Sequence, residues 1–182
     1  MDLFFNLTTF WLVPPLWKIQ NCLCIDSAIM PAHFPQEPGT YILILRSDIH
    51  ASARIGQLGW LTIEPGYYLY VGSALGPGGL RARLNRHLRG TSRPHWHLDY
   101  LRHYVNPVAI WLQATETRLE HHWASGLAQT QHLIIALARF GASDCRCPSH
   151  LFFTSLCPAL PALRGCLCAV GTAADLQVYA AA

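Results

Sequence analysis

Residues 67–88 decide the fold: Tyr67-Tyr68-Leu69-Tyr70-Val71-Gly72-Ser73, then Ala74-Leu75-Gly76-Pro77-Gly78-Gly79, then Leu80-Arg81-Ala82-Arg83-Leu84-Asn85-Arg86-His87-Leu88. The first piece is an aromatic and β-branched run that suits a strand. Pro77 and the glycines around it mark a loop. In the third piece Leu80, Leu84 and Leu88 recur at i, i+4 and i+8, which predicts an amphipathic helix with arginines on its polar sides. Arg83, Arg86 and His87 share one side of that helix, directly after a glycine-rich loop that a phosphate can approach closely.

Working outward, Tyr41-Ile42-Leu43-Ile44-Leu45 is a continuous apolar run of strand length, the pattern of a strand buried on both faces. Arg54 to Ile63 reads as a hairpin around Gly56 and Gly59. Trp96 to Tyr104 suggests a second helix and Val108 to Leu112 a third strand of the sheet. Arg118 to Leu127 suggests a further helix with Leu119, Trp123 and Leu127 as its apolar stripe, while Ile134 to Leu137 fits helix or strand equally. Strands followed by mixed helices predict an α+β domain, with three core strands and an inserted hairpin flanked by helices. Residues 1–38, which close on Pro31, Pro35 and Pro38, read as a poorly ordered extension, and Met30 opens a stretch that would serve equally well as a beginning. The organised domain is expected over 39–155, and 156–182 as a loosely structured tail.

Composition narrows the function. The chain has 182 residues, 52% apolar and only 13% charged, which excludes wholesale disorder. Its net charge is +3, yet residues 81–102 alone hold Arg81, Arg83, Arg86, Arg89, Arg93 and Arg102 against a single acid, Asp99. Lys18 is the only lysine. Forked guanidinium donors suit phosphate better than diffuse surface charge does. No long uninterrupted apolar span predicts a membrane helix. The apolar start carries Asp2 and the Pro14-Pro15 break instead of a leader pattern. Seven cysteines, six of them in the pairs Cys22/Cys24, Cys145/Cys147 and Cys166/Cys168, read as reduced thiols in a cytoplasmic protein.

Three groups of residues can carry chemistry. Gly39-Thr40-Tyr41 and Tyr70-Val71-Gly72 each set a tyrosine beside a glycine at a strand end. The arginine helix adds His87. Glu120, followed by His121 and His122, is a carboxylate of the kind Mg²⁺ accepts while keeping most of its waters. Each has an ordinary explanation alone: a common strand residue, a solvated helix face, a surface acid.

In that order the pieces resemble the GIY-YIG endonuclease superfamily, from Gly39 to Glu120. Gly76-Pro77-Gly78-Gly79-Leu80, Pro94-His95-Trp96-His97-Leu98-Asp99-Tyr100-Leu101 and the run Phe140 to Phe152 look like a poorly characterised branch of it, some of whose members are joined to DNA-repair glycosylases. The resemblance covers about 39–153 and implies a metal-dependent endonuclease acting on DNA, with one Mg²⁺ or Mn²⁺ ion. Glu120 would hold the ion against a phosphate oxygen and the leaving 3′ oxygen. Tyr41 would take a proton from the attacking water, helped by Tyr70 and an imidazole, with Arg83 favouring the ionised phenol and stabilising the pentavalent phosphate. His87 corresponds to the family's helix histidine, and either His95 or His97 to its second. Arg81, Arg86, Arg89, His95 and His97 are the expected DNA contacts. The chain departs from the pattern in its long insertion between Tyr41 and Tyr70, in Thr40 where isoleucine is usual, and in lacking a secure counterpart of the late asparagine.

Two other classes compete. One is a nucleic-acid-binding module that keeps the fold without turnover. The other is a zinc-stabilised interaction domain, resting on Cys145, Cys147 and His150. That cluster supplies three ligands, with a fourth from His121, His122 or Cys157, but the usual zinc spacings are absent. The competing expectation is that Ser143, Asp144 and His150 brace a loop beside the site.

Overall fold

A computed structural model describes residues 33–167 and 176–180. Two antiparallel strands at the centre, β1 (Gly39–Ser47) and β4 (Gly66–Ser73), pair in the register Tyr41 to Gly72 and Leu43 to Tyr70. On the other side of β1 lies β5 (Asn106–Ala114), also antiparallel. The expected α+β class and its three core strands are therefore present.

Alternation along β1 explains the layers. Tyr41, Leu43 and Leu45 face one core, and Ile42 and Ile44 the other. Successive strand side chains point to opposite faces, so a run apolar at every position must be covered on both. The first face is covered by helices α1 (Gly79–Arg89) and α2 (His97–Leu101) and by the hairpin β2 (Ala51–Ile55) and β3 (Gly59–Ile63). The second is covered by α3 (Glu120–Ala128) and α4 (Leu160–Leu167). The inserted hairpin forms its own two-stranded sheet, and its Ala53, Ile55, Leu61 and Ile63 complete the first core.

Several boundaries differ from expectation. The sheet has six strands, because β6 (Ile134–Ile135), β7 (Leu151–Thr154) and β8 (Gln177–Ala180) extend it to the order β6-β7-β4-β1-β5-β8. The second helix is shorter than Trp96–Tyr104; Asp99 caps its start by accepting the backbone N–H groups of His95 and Trp96. The extension expected over 1–38 lies outside the described residues as far as 32. Its last residues belong to the domain: Phe34 is buried in the first core, and Pro35 and Glu37 carbonyls accept from the N–H groups of Arg81 and Leu80. Those two donors sit in the first turn of α1, where helical N–H groups have no partner within the helix.

The tail is corrected more strongly. Leu163 and Leu167 of α4 are buried against α3, the Trp123 indole donates to the Leu167 carbonyl at 3.1 Å, and β8 pairs with β5. Pro161 falls in the first turn of α4, where its missing N–H costs no hydrogen bond. Cys157 is disulfide-bonded, against the expectation of reduced thiols throughout, whereas Cys145 and Cys147 are free. Among the described residues no helix is long and apolar enough to cross a membrane.

Candidate active site

The β1–β4 pairing sets the two tyrosines side by side, their rings 6.4 Å apart. Gly72 lies opposite Tyr41, and a Cβ there would overlap the phenol, so the glycine makes room for the ring. From above, α1 presents Leu80, Leu84 and His87 to the sheet, with His87 as the third fully buried position in place of Leu88. Its start is equally constrained. Gly79 has φ +53, and a Cβ there would run into the carbonyls of Gln36 and Glu37.

Tyr41 and His87 are 1% and 2% exposed, and Tyr41 Oη lies 2.8 Å from His87 Nε2. Burial raises the Tyr41 pKa well above its ordinary value, and the charge of Arg83 opposes this without reversing it. Tyr70 is raised as well, chiefly by burial. Arg83 does pull both phenols toward the ionised form, but burial outweighs it, and both phenols hold their protons. Burial, and after it the charge of Arg83, lowers His87 to about 3, so the imidazole is neutral. Tyr41 Oη and His87 Nε2 share one hydrogen bond, whose direction follows the tautomer of the neutral imidazole, and His87 Nδ1 has no hydrogen-bond partner.

The arginines divide by role. Arg83 and Arg86 both stack on the Trp96 ring, at 4.2 and 4.1 Å from its centroid. Arg83 opens onto a cleft, whereas Arg86 Nη2 is paired with Asp99 at 2.8 Å. Arg81 Nε donates to the Phe34 carbonyl at 2.9 Å, and Arg102 donates to the carbonyls of His87 and Val105. Arg89 and Arg93 are exposed. Half of the basic stretch therefore stitches the fold together.

Opposite the tyrosines stands Glu120, the first residue of α3, where the helix dipole favours a negative charge. Its Oε2 accepts from Ser73 Oγ at 2.7 Å, and its Oε1 lies 3.2 Å from His150 Nδ1, outside good hydrogen-bond alignment. Burial works against the charge of Glu120. The contacts with His150 and Ser73, and the nearby His121, outweigh it and hold the carboxyl below its usual range.

These walls enclose an open cleft of about 540 Å³ whose lining includes Tyr41, Tyr70, Arg83, His95, His97 and Glu120. Six expected site residues thus converge, although they come from two strands, three helices and the loop before α2, far apart in sequence. His87 lies behind Tyr41. Arg81, Arg86 and Arg89 are not in the cleft. Between the two candidate histidines the geometry discriminates: His97 Nδ1 accepts the Gly141 N–H at 3.0 Å, which leaves its proton on Nε2, while His95 is exposed. Ser143 and Asp144 also line the cleft.

Sequence reasoning missed Ser73, Trp96 and Arg118 as lining residues. Ser73 and Trp96 lie inside quoted motifs, next to Gly72 and between His95 and His97, and were legible there. Arg118 is exposed and carries no local signal. The chain belongs to the family described as Domain of unknown function DUF123, which matches residues 40–167. No curated protein and no solved structure matches it.

Proposed function

We propose that this DUF123 protein is a divalent-metal-dependent endonuclease of GIY-YIG type, hydrolysing phosphodiester bonds in DNA during repair or processing in the cytoplasm. The observation that supports it is the convergence of the Tyr41 and Tyr70 phenols, the Arg83 guanidinium and the Glu120 carboxylate on one open cleft. Phosphodiester hydrolysis needs those groups: a path for the proton of water, a cation for the phosphate, and a hard ligand for a metal ion.

The donor set fits Mg²⁺ or Mn²⁺. Each oxygen of Glu120 has one partner, and an ionised carboxylate offers about four lone-pair directions, so acceptor capacity remains. Ser143 and Asp144 add oxygen donors in the same cleft, which suits an ion that keeps several of its waters. When bound, such an ion supplies Lewis-acid stabilisation of charge on the phosphate and the leaving oxygen.

The chain's own residues do the rest. Arg83, braced on Trp96, binds the phosphate and stabilises its added charge. Tyr41 stays protonated until needed. Its oxygen takes a proton from water as its own proton passes to His87 Nε2, forming an imidazolium, so the phenol relays a proton without becoming a free phenolate. Bound phosphate offsets the burial that keeps His87 neutral. Tyr70 excludes bulk water from the pair.

The test is nicking of supercoiled plasmid by the full chain with Mg²⁺, with Mn²⁺ and with chelator. Nicking that requires the metal supports the endonuclease. A second reading, a DNA-binding module without turnover, is favoured by the raised Tyr41, since a reluctant base is the weakest part of the machinery. A gel shift without nicking under every ion would select it.

A further inference from the structure

Behind the Glu120 wall, four soft donors meet. His121 comes from the second residue of α3. Cys145, Cys147 and His150 come from the loop that leads into β7. One donor atom from each lies within 4.8 Å of all the others. Sequence spacing left the fourth member open, and the fold selects His121 because α3 begins beside the loop.

The loop is held ready. Arg139 Nη1 donates to the carbonyls of Cys145 and Cys147, at 2.7 and 3.0 Å, and so clamps the backbone on both sides of Arg146. The Arg139 N–H donates to the Pro148 carbonyl at 2.7 Å, and the His150 N–H to the Phe140 carbonyl at 2.8 Å. Cys145 Sγ and His150 Nε2 are 3.4 Å apart. A tetrahedral zinc with thiolate at about 2.3 Å and imidazole at about 2.0–2.1 Å sets that edge at roughly 3.5 Å. The pair is thus already at zinc-ligand spacing.

We infer that Cys145, Cys147, His150 and His121 bind one Zn²⁺ ion, and that His150 links this ion to Glu120. Two thiolates balance the charge of the dication, their protons leave to solvent on binding, and the imidazoles bind neutral. Thiolate and imidazole in a four-ligand set select zinc over the hard ions that suit Glu120. The link follows from the two edges of the His150 ring: Nε2 faces Cys145, and Nδ1 faces Glu120 Oε1. Metal on Nε2 requires the proton on Nδ1, which stands 3.2 Å from Glu120 Oε1 and needs only a better alignment on zinc binding to donate to the carboxylate. This is the metal–histidine–carboxylate arrangement that fixes ligand and acid together. The zinc then positions the acid of the cleft, which makes His150 a positioning residue. Zinc binding by these four residues is independent of whether the cleft cleaves DNA.

The full chain, purified under reductant and loaded with zinc, is expected to retain one equivalent after dialysis. Replacement by Co²⁺ should give the thiolate charge-transfer and strong visible bands of a tetrahedral site. Cys145→Ser combined with Cys147→Ser should remove both, and His122→Asn should leave both. Glu120→Gln should keep the cobalt spectrum but weaken zinc affinity by about 10–100-fold in chelator competition, the usual effect of losing an outer-shell partner. Nitrogen-resolved NMR of the zinc form should show the His150 proton on Nδ1. Wild-type chain with no retained zinc, an octahedral cobalt spectrum, or full retention in the double cysteine variant would overturn the site. If Glu120→Gln leaves affinity unchanged, or the proton sits on Nε2, the link to Glu120 fails.

Discussion

The two walls of the cleft are both largely buried, yet they end in opposite charge states. On the phenol wall, Tyr41, Tyr70 and His87 pack on one another and on the rings of Phe140 and Trp96, with no acid bonded to them, and burial leaves all three neutral. On the carboxylate wall, Glu120 meets the Ser73 hydroxyl, His150 and a helix N-terminus, and stays ionised. Burial disfavours charge everywhere, and partners decide whether it wins. A cleft with one proton-holding wall and one charged wall is suited to moving a proton from water while a cation is held opposite.

The largest expected effect removes the charged wall. Glu120→Gln keeps the shape and the Ser73 hydrogen bond while deleting the charge, so cleavage should fall by about 10³-fold or more, beyond the loss of a single oxyanion donor. DNA affinity should change little, because Glu120 is an anion and contributes no attraction to phosphate. Single-turnover rates and binding isotherms on one oligonucleotide check this. Cleavage persisting at the wild-type rate would move the metal ligand to Asp144, which shares the cleft. Next in size is Arg83→Ala, the only cation that α1 lends to the cleft. It should cost ~2–4 kcal/mol of transition-state stabilisation with a smaller loss of affinity. Equal losses in rate and binding would reduce Arg83 to a DNA grip.

The same contrast explains what the sequence made legible. Tyr41, Tyr70 and Glu120 could be found because strand and helix periods place them, and the order of motifs ties them together. Their charge states could not be read. Whether Arg83 ionises Tyr41 depends on burial set by α1, α2 and the hairpin packing on one sheet face, which no local pattern encodes. The arginine stretch misled for a related reason: Asp99 was counted against six cations, but carbonyls of Phe34, His87 and Val105 also take arginine donors. Edge strands β6 and β8, of two and four residues, are too short to carry a period. They exist because β7 and β5 offer them a partner.

Lowering pH tests the walls separately. The folded pKa of His87, about 3, lies below its unfolded value near ~6.5, so the unfolded chain binds the extra proton first. Stability contributed by neutral His87 is complete above about 6.5 and is lost as pH falls toward about 3, with a slope of up to ~1.4 kcal/mol per pH unit. His97, also lowered by burial, acts in the same direction. Glu120 is depressed too, but its contribution is present above the unfolded carboxylate value near ~4.3 and is lost only below it. Urea midpoints between pH 7 and 5 should therefore fall because of His87 and His97 and not because of Glu120, and His87→Gln should flatten much of that fall. A flat wild-type profile would mean that His87 accepts a proton without cost, and the neutral wall would be wrong.

The smallest effects lie at the two ends of α1, where burial again decides what a charge is for. Arg81 and Arg89 were alike in sequence, both off the Arg83/His87 side and both fit to meet a phosphate. In the fold Arg81 Nε is committed to the Phe34 carbonyl, while Arg89 is exposed. A phosphate neutralised by an arginine releases condensed counterions, so each such contact adds about one unit to the slope of log affinity against log salt. Arg89→Ala should lower that slope by about one unit, with stability unchanged. Arg81→Ala should leave the slope alone and lower stability by about 0.5–1.5 kcal/mol, the ordinary net worth of one internal hydrogen bond. The two variants need only a salt titration of binding and a urea melt each. If both lower the salt slope equally, the Phe34 contact gives way when DNA arrives, and the basic stretch acts as one surface after all. If neither does, DNA follows the cleft without touching the outer side of α1, and Arg83 with Arg118 must carry the phosphates.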